Sequence, residues 1–99
     1  MKKGIDRFEG ELWRVEGPGG WRFITLPEDL SDIIRFRTVG AASAWGSLKV
    51  TATIGATRWS TSLFPDTRRK AYLLPVKADV RKREKLAEGA VVAVTLWLG

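Results

Sequence analysis

From Leu48 to Ile54 the chain alternates without a break. Leu48, Val50, Ala52 and Ile54 fall on one side, and Lys49, Thr51 and Thr53 on the other. A period of two is the mark of a strand with one face against a core. Phe8 to Val15 has the same mark, with Phe8 and Leu12 on one face and Glu9 and Glu11 on the other, and Trp13 falling opposite Phe8 and Leu12. Gly17-Pro18-Gly19-Gly20 is a turn by composition, and the aromatic, β-branched stretch Trp21–Leu26 returns as its hairpin partner. Gly55-Ala56 reads as a two-residue turn of the glycine-first type, followed by Arg58–Phe64 with Trp59 and Leu63 on one face. Ala71–Val76 is a fifth strand, where Pro75 predicts an edge or a bend. Val91–Leu98 is apolar on both faces, which predicts a central strand covered on both sides.

Two stretches switch to helical spacing. Pro27, Glu28 and Asp29 open a short helix, because proline suits the first helical position and acidic residues suit the positive end of the helix dipole. Leu30, Ile33 and Ile34 supply its apolar face. A second helix is predicted over Lys77–Glu88, with Gly89 as its left-handed cap. Residues 38–47 are a connection of small residues. The predicted order is therefore ββαβββαβ. Six short strands favour a closed or nearly closed barrel, which removes exposed edges, over a ferredoxin-like sandwich, whose helices need to be longer. The expected class is mostly β with two short helices.

Composition changes the picture chiefly by exclusion. The 99 residues fit one domain, 1–99. With no cysteine and no histidine, the chain lacks disulfides, thiolate nucleophiles, Cys/His zinc sites and imidazole acid–base chemistry. No metal site and no cofactor is expected. Neither phosphate-loop glycine spacing occurs in a strand–turn–helix context. No apolar run reaches the roughly 18 residues of a membrane helix. Met1-Lys2-Lys3 resembles the start of a signal peptide, but Gly4-Ile5-Asp6-Arg7 stands where an apolar region belongs. The reading is a cytoplasmic protein that does not engage a membrane.

Charge adds one positive feature. Residues 68–85 hold eight basic residues against Asp79 and Glu84, equal to the chain's whole excess of +6. On a helix Lys77, Arg81 and Lys85 recur every four residues and line one face, a row suited to phosphates. Arg68, Arg69 and Lys70 in the preceding loop, with Lys82, extend the expected contact surface for nucleic acid or another anion. Binding is expected to be weak, salt-sensitive and non-specific, since aromatic and basic residues do not interleave there in a known signature. The plain alternative is a solvated face that keeps the domain soluble. The five tryptophans are first of all packing residues. Trp13 and Trp45 are the two singled out for stacking on a base, a sugar or a partner.

Several segments together resemble a bacterial family known as domain of unknown function 1905. They are Phe8-x-Gly-x-Leu-Trp13, Gly20-Trp21-x-Phe23-x-Thr-Leu-Pro27, Trp45-Gly46-Ser47, Thr53-Ile54-Gly55, Thr61-Ser62-Leu63-Phe64-Pro65-Asp66 and Tyr72-Leu-Leu-Pro-Val-Lys77-Ala78-x-Val80-Arg81-Lys82. The resemblance implies a six-stranded double-split β-barrel, a class that also houses DNA-binding regulators and antitoxins assembling as swapped dimers. It implies no activity. The family pattern often carries histidine where this chain has Arg22, and Gly-Asp where it has Gly89-Ala90.

The leading functional reading is a non-enzymatic binding or interaction module, monomer or homodimer, with its basic contact surface at 68–85. The alternative is a small-molecule binder or enzyme at the barrel mouth, drawing on Trp21, Arg22, Trp45, Ser60 and Lys77, with a serine of the Trp59-Ser60-Thr61-Ser62 strand and Lys77 as the conceivable nucleophile and base. The carboxylate pairs Glu9/Glu11 and Glu28/Asp29 invite a glycosidase or hard-metal reading, but surface charge and helix polarity explain them.

Overall fold

The structure, a computed structural model, describes residues 5–38 and 46–98. Eight elements follow the predicted order: β1 (Ile5–Arg14), β2 (Arg22–Thr25), α1 (Glu28–Arg37), β3 (Leu48–Ile54), β4 (Thr57–Asp66), β5 (Ala71–Pro75), α2 (Ala78–Arg83) and β6 (Val91–Leu98). The strands close into a barrel in the order β1-β2-β5-β4-β3-β6, and each pairing is antiparallel. The expected mostly-β, six-stranded barrel is thus the architecture. No described helix is long and apolar enough to cross a membrane.

Two ten-residue strands do the work of two sheets each. The first part of β1 pairs with β6 (Glu11↔Val91), and its last residues pair with β2 (Leu12↔Ile24). The first part of β4 pairs with β3 (Leu48↔Leu63), and its end pairs with β5 (Phe64↔Leu73). At the β1 hand-over the backbones approach closely. A Cβ on Gly10 would lie 2.6 Å from the Ile24 side chain and 3.0 Å from the Thr25 carbonyl oxygen. Glycine is what permits that approach.

The barrel interior is filled. Phe8, Leu12, Ile24, Val50, Ala52, Trp59, Leu63, Leu74, Val94 and Leu96 belong to one buried cluster. Alternation places them there, since Leu12↔Ile24↔Leu74 and Phe8↔Val94 are inward pairs in register. Ile34 of α1 and Val80 of α2 are fully buried and join the cluster. The Ser31 hydroxyl is buried as well and accepts the Tyr72 N–H at 3.0 Å, next to the Leu26 N–H to Tyr72 O bond. A helix side chain thereby continues the β5 ladder where β2 has ended.

Four expectations change. The buried face of α1 is Leu30, Ser31 and Ile34, whereas Ile33 is 47% exposed; the strand-end N–H needs a polar partner more than the core needs another isoleucine. The second helix stops at Arg83, well short of Glu88. Its cap is a left-handed Lys85 (φ 54°), with Leu86 N–H to Arg81 O at 2.9 Å and Lys85 N–H to Lys82 O at 3.3 Å, a Schellman pattern. Gly89 (φ 87°) instead turns the chain into β6, donating its N–H to Leu12 O. The third change is in β6, which is covered on one face alone: Val92, Val94 and Leu96 are buried, while Val91 is 70% and Trp97 38% exposed. Finally, β5 is no edge strand; Pro75 lies at its end, paired with Phe23 but beyond the residues that pair with β4.

Candidate functional site

The basic stretch that is continuous in sequence is divided in space. Arg68, Arg69 and Lys70 form the β4–β5 turn beside α1, whose Ser31 and Arg35 meet Tyr72. Lys77, Arg81, Lys82 and Lys85 follow the far end of β5, beside the β3–β4 hairpin, where Glu84 accepts a hydrogen bond from Thr57 Oγ1 at 2.6 Å. Thr57 and Asp66 are the two ends of β4, about 30 Å of strand path apart at ~3.3 Å per residue. The basic residues expected as one surface over 68–85 stand in two groups, one at each end of β5. The row Lys77, Arg81, Lys85 does not form, because Lys85 lies past the helix and Arg81 turns inward, its Nε donating to Val76 O at 3.1 Å.

Between the two basic ends lies a line of rings. Trp13, Phe23 and Trp21 point outward from β1, β2 and the start of the β2 segment. Trp21 stacks on Phe23 with ring centres 6.2 Å apart and planes at 12°, and Phe23 meets Trp13 at 5.6 Å. The Trp13 indole is held by its Nε1–H, which donates to Thr25 Oγ1 at 2.8 Å. The Arg69 guanidinium sits 4.2 Å above the same indole. At the other end the β2–β5 ladder continues past Phe23↔Pro75 through the Val76 N–H to Arg22 O bond. That register sets Lys77 across from Trp21. The order along the face is therefore cation, three rings, cation, and Trp21, 61% exposed, is its most open ring. Sequence alternation placed Trp13 outward; it missed Trp21 as a stacking residue, although its period-two relation to Phe23, opposite Ile24, is legible.

Asp66 fixes the turn. Its carboxylate accepts the backbone N–H groups of Arg68 (3.0 Å) and Arg69 (3.2 Å) and pairs with the Arg69 guanidinium. Partial burial works to raise its pKa. The Arg69 side-chain bond, the two backbone bonds and the guanidinium charge outweigh that and hold the carboxyl below its usual range. Arg68 and Lys70 stay exposed on the same turn. At the α2 end Arg83 pairs with Asp79 (3.3 Å), whereas Lys77 and Lys82 are exposed.

The residues suggested for a barrel-mouth pocket do not assemble into one among the described residues. Arg22 is partly buried, its guanidinium hydrogen-bonded to Gly20 O and its Nε 3.5 Å from Glu88. Ser60 is exposed on the outer face of β4, paired in register with Thr51 of β3. Trp45 lies outside the described residues. A cleft of about 380 Å³ between α1 and the β4–β5 turn is lined by Glu28, Asp32, Arg35, Asp66, Thr67 and Lys70. Its charges are of both signs, and Asp32–Arg35 and Asp66–Arg69 already pair. Among the described residues no group of three or more acidic side chains is arranged to hold a metal ion.

The model of the family described as Domain of unknown function (DUF1905) matches residues 8–96. The chain belongs to this family. The DUF1905 match takes in Trp13, Trp21, Phe23, Arg69 and Lys77, so the line of rings and both flanking cations are part of the family domain. No curated protein matches the chain.

Proposed function

We propose that this DUF1905 domain is a non-enzymatic binding module that receives single-stranded nucleic acid on the outer face of β1, β2 and β5. The observation that carries the reading is the line Arg69–Trp13–Phe23–Trp21 with Lys77 across from its open end. Planar rings offer stacking surface to any base, worth roughly 1–3 kcal/mol per base. The cations at either end suit the phosphates that connect the bases. Arg68 and Lys70, exposed on the turn, extend the positive end. The net charge of +6 favours an anionic partner in the same sense. A filled barrel core leaves the outer surface as the place where a ligand meets the chain.

The test is titration of the tryptophan fluorescence with short single-stranded oligonucleotides at about 20 mM and about 150 mM salt. Quenching at low salt is expected. With about three phosphates engaged, log K should fall against log salt with a slope of about −2. Trp21→Ala should weaken binding about tenfold, the value of one lost stacking contact. Absence of quenching and of retention at low salt would remove the reading.

A further inference from the structure

A second surface lies on the other side of β1 from β2, where β6 closes the barrel. The outer side of β6 carries Val91, Ala93, Thr95 and Trp97, and among the described residues no helix or strand packs over it. Val91 is 70% and Trp97 38% exposed, the latter partly roofed by the Arg58 guanidinium 4.8 Å from its ring. Its flank is set by register: Glu11 lies beside Val91, Glu9 beside Ala93 and Arg7 beside Thr95 on β1. Small residues line the middle, where Thr53 and Gly55 border Ala93 and Thr95 in a groove of about 450 Å³.

This arrangement is self-complementary under one particular symmetry. Consider a twofold axis that crosses β6 at right angles, between Ala93 and Thr95. It sets Trp97 of one copy against Val91 of the other, and Ala93 against Thr95. It also sets Arg7 against Glu9, twice by symmetry. A twofold axis parallel to β6 instead sets Glu9 against Gly55 and Arg7 against Thr53, so the Arg7–Glu9 pairs are lost. Isologous contacts require a patch that matches its own rotated image, and this one does so at Trp97–Val91 and at Arg7–Glu9.

We propose that the outer face of β6 is a homodimer interface, with the second copy of this chain packed across it antiparallel, Trp97 on Val91 and Arg7 on Glu9. The contact adds nothing to the barrel's own closure, since all six strands are already paired within one chain. The dimer therefore forms between folded monomers and depends on concentration.

Sedimentation equilibrium of the full chain between about 10 μM and about 1 mM tests it. The mass should rise with concentration from 11.0 kDa towards twice that value. Val91→Asp, at an exposed position, should hold the mass at the monomer value with an unchanged far-UV circular dichroism spectrum. Arg7→Glu alone and Glu9→Arg alone should each weaken association about tenfold, and the double swap should restore it, as expected for facing charges. A constant monomer mass at all concentrations would overturn the proposal. So would a dimer indifferent to Val91→Asp, or single swaps that the double swap fails to rescue.

Discussion

At one end of β5 the turn 67–70 holds Arg69 over an indole; at the other end the arginines of α2 turn back to the Val76 carbonyl and to Asp79. Arg69 is pinned by Asp66 and placed 4.2 Å over Trp13. Arg81 donates to Val76 O and Arg83 pairs with Asp79. The two regions come from one run of basic sequence, yet their guanidinium groups have different employment. An arginine beside a strand end with a bare carbonyl becomes a structural donor. An arginine on a turn fastened by a carboxylate is held over the neighbouring sheet, already ordered for a ligand, which reduces the entropy lost on binding. Positive charge in a sequence therefore does not map directly onto a positive contact surface.

Breaking the ring-lined end should have the largest effect. Trp13→Ala removes the indole that meets Phe23, the Nε1–Thr25 bond and the perch of Arg69. A loss of about 2–3 kcal/mol in urea unfolding is expected, below the full core value because Trp13 is only partly buried. Oligonucleotide quenching should fall with it.

A matched pair of arginine substitutions sharpens the contrast. Arg81→Met keeps the aliphatic stem but deletes a charge-assisted bond to a carbonyl, and should cost about 1–2 kcal/mol while leaving oligonucleotide affinity within about twofold. Arg69→Met should do the reverse, with under about 1 kcal/mol lost in stability and about a tenfold loss in affinity. Equal effects of the two on binding would mean that the turn and α2 present their arginines to the ligand alike.

Relief of strain at the α2 end should give a smaller, opposite change. Lys85 occupies the left-handed position of the helix cap, which a side chain adopts at a cost. Lys85→Gly should stabilise the fold by about 0.5–1 kcal/mol in thermal or urea unfolding.

The smallest expected effect is a pH dependence at the turn. The Asp66 carboxyl titrates below its ordinary value of 3.8 in the folded chain. Its stabilising contribution is therefore complete above 3.8, declines as pH falls from there through the lowered folded value, and is absent below it. Unfolding of the wild type and Asp66→Asn across that range should converge at the acid end. A constant gap between them would show that the carboxylate's charge is not what holds Arg69.

Much of this architecture could be read from spacing alone. The Leu48–Ile54 alternation, the Gly55-Ala56 turn and the motif Phe8-x-Gly-x-Leu-Trp13 each correspond to an observed element, and Gly10 in that motif stands at the close approach of β1 and β2. The errors share a cause. Lys77–Glu88 has the charges of a helix but few apolar residues, so nothing in its local pattern marks where Glu84 leaves the helix to meet Thr57. Ile33 matched the apolar spacing of α1, yet Ser31 occupies the buried place because Tyr72, forty-one residues away, presents an N–H there. The apolar outer face of β6 resembled a covered surface because hydropathy does not distinguish a face met by the same chain from one left open.

Spacing and composition alone were enough to locate the strands, to give the inward face of β1, β3 and β4, and to rule out the chemistries that need cysteine or histidine, because period, turn residues and side-chain inventory are local properties. Only the folded chain splits the basic run between the two ends of β5 and sets Trp13 of β1, Phe23 of β2 and Trp21 just before β2 between them. Closure of the barrel brings together residues more than fifty positions apart, such as Trp13 and Arg69, and no local periodicity encodes that meeting.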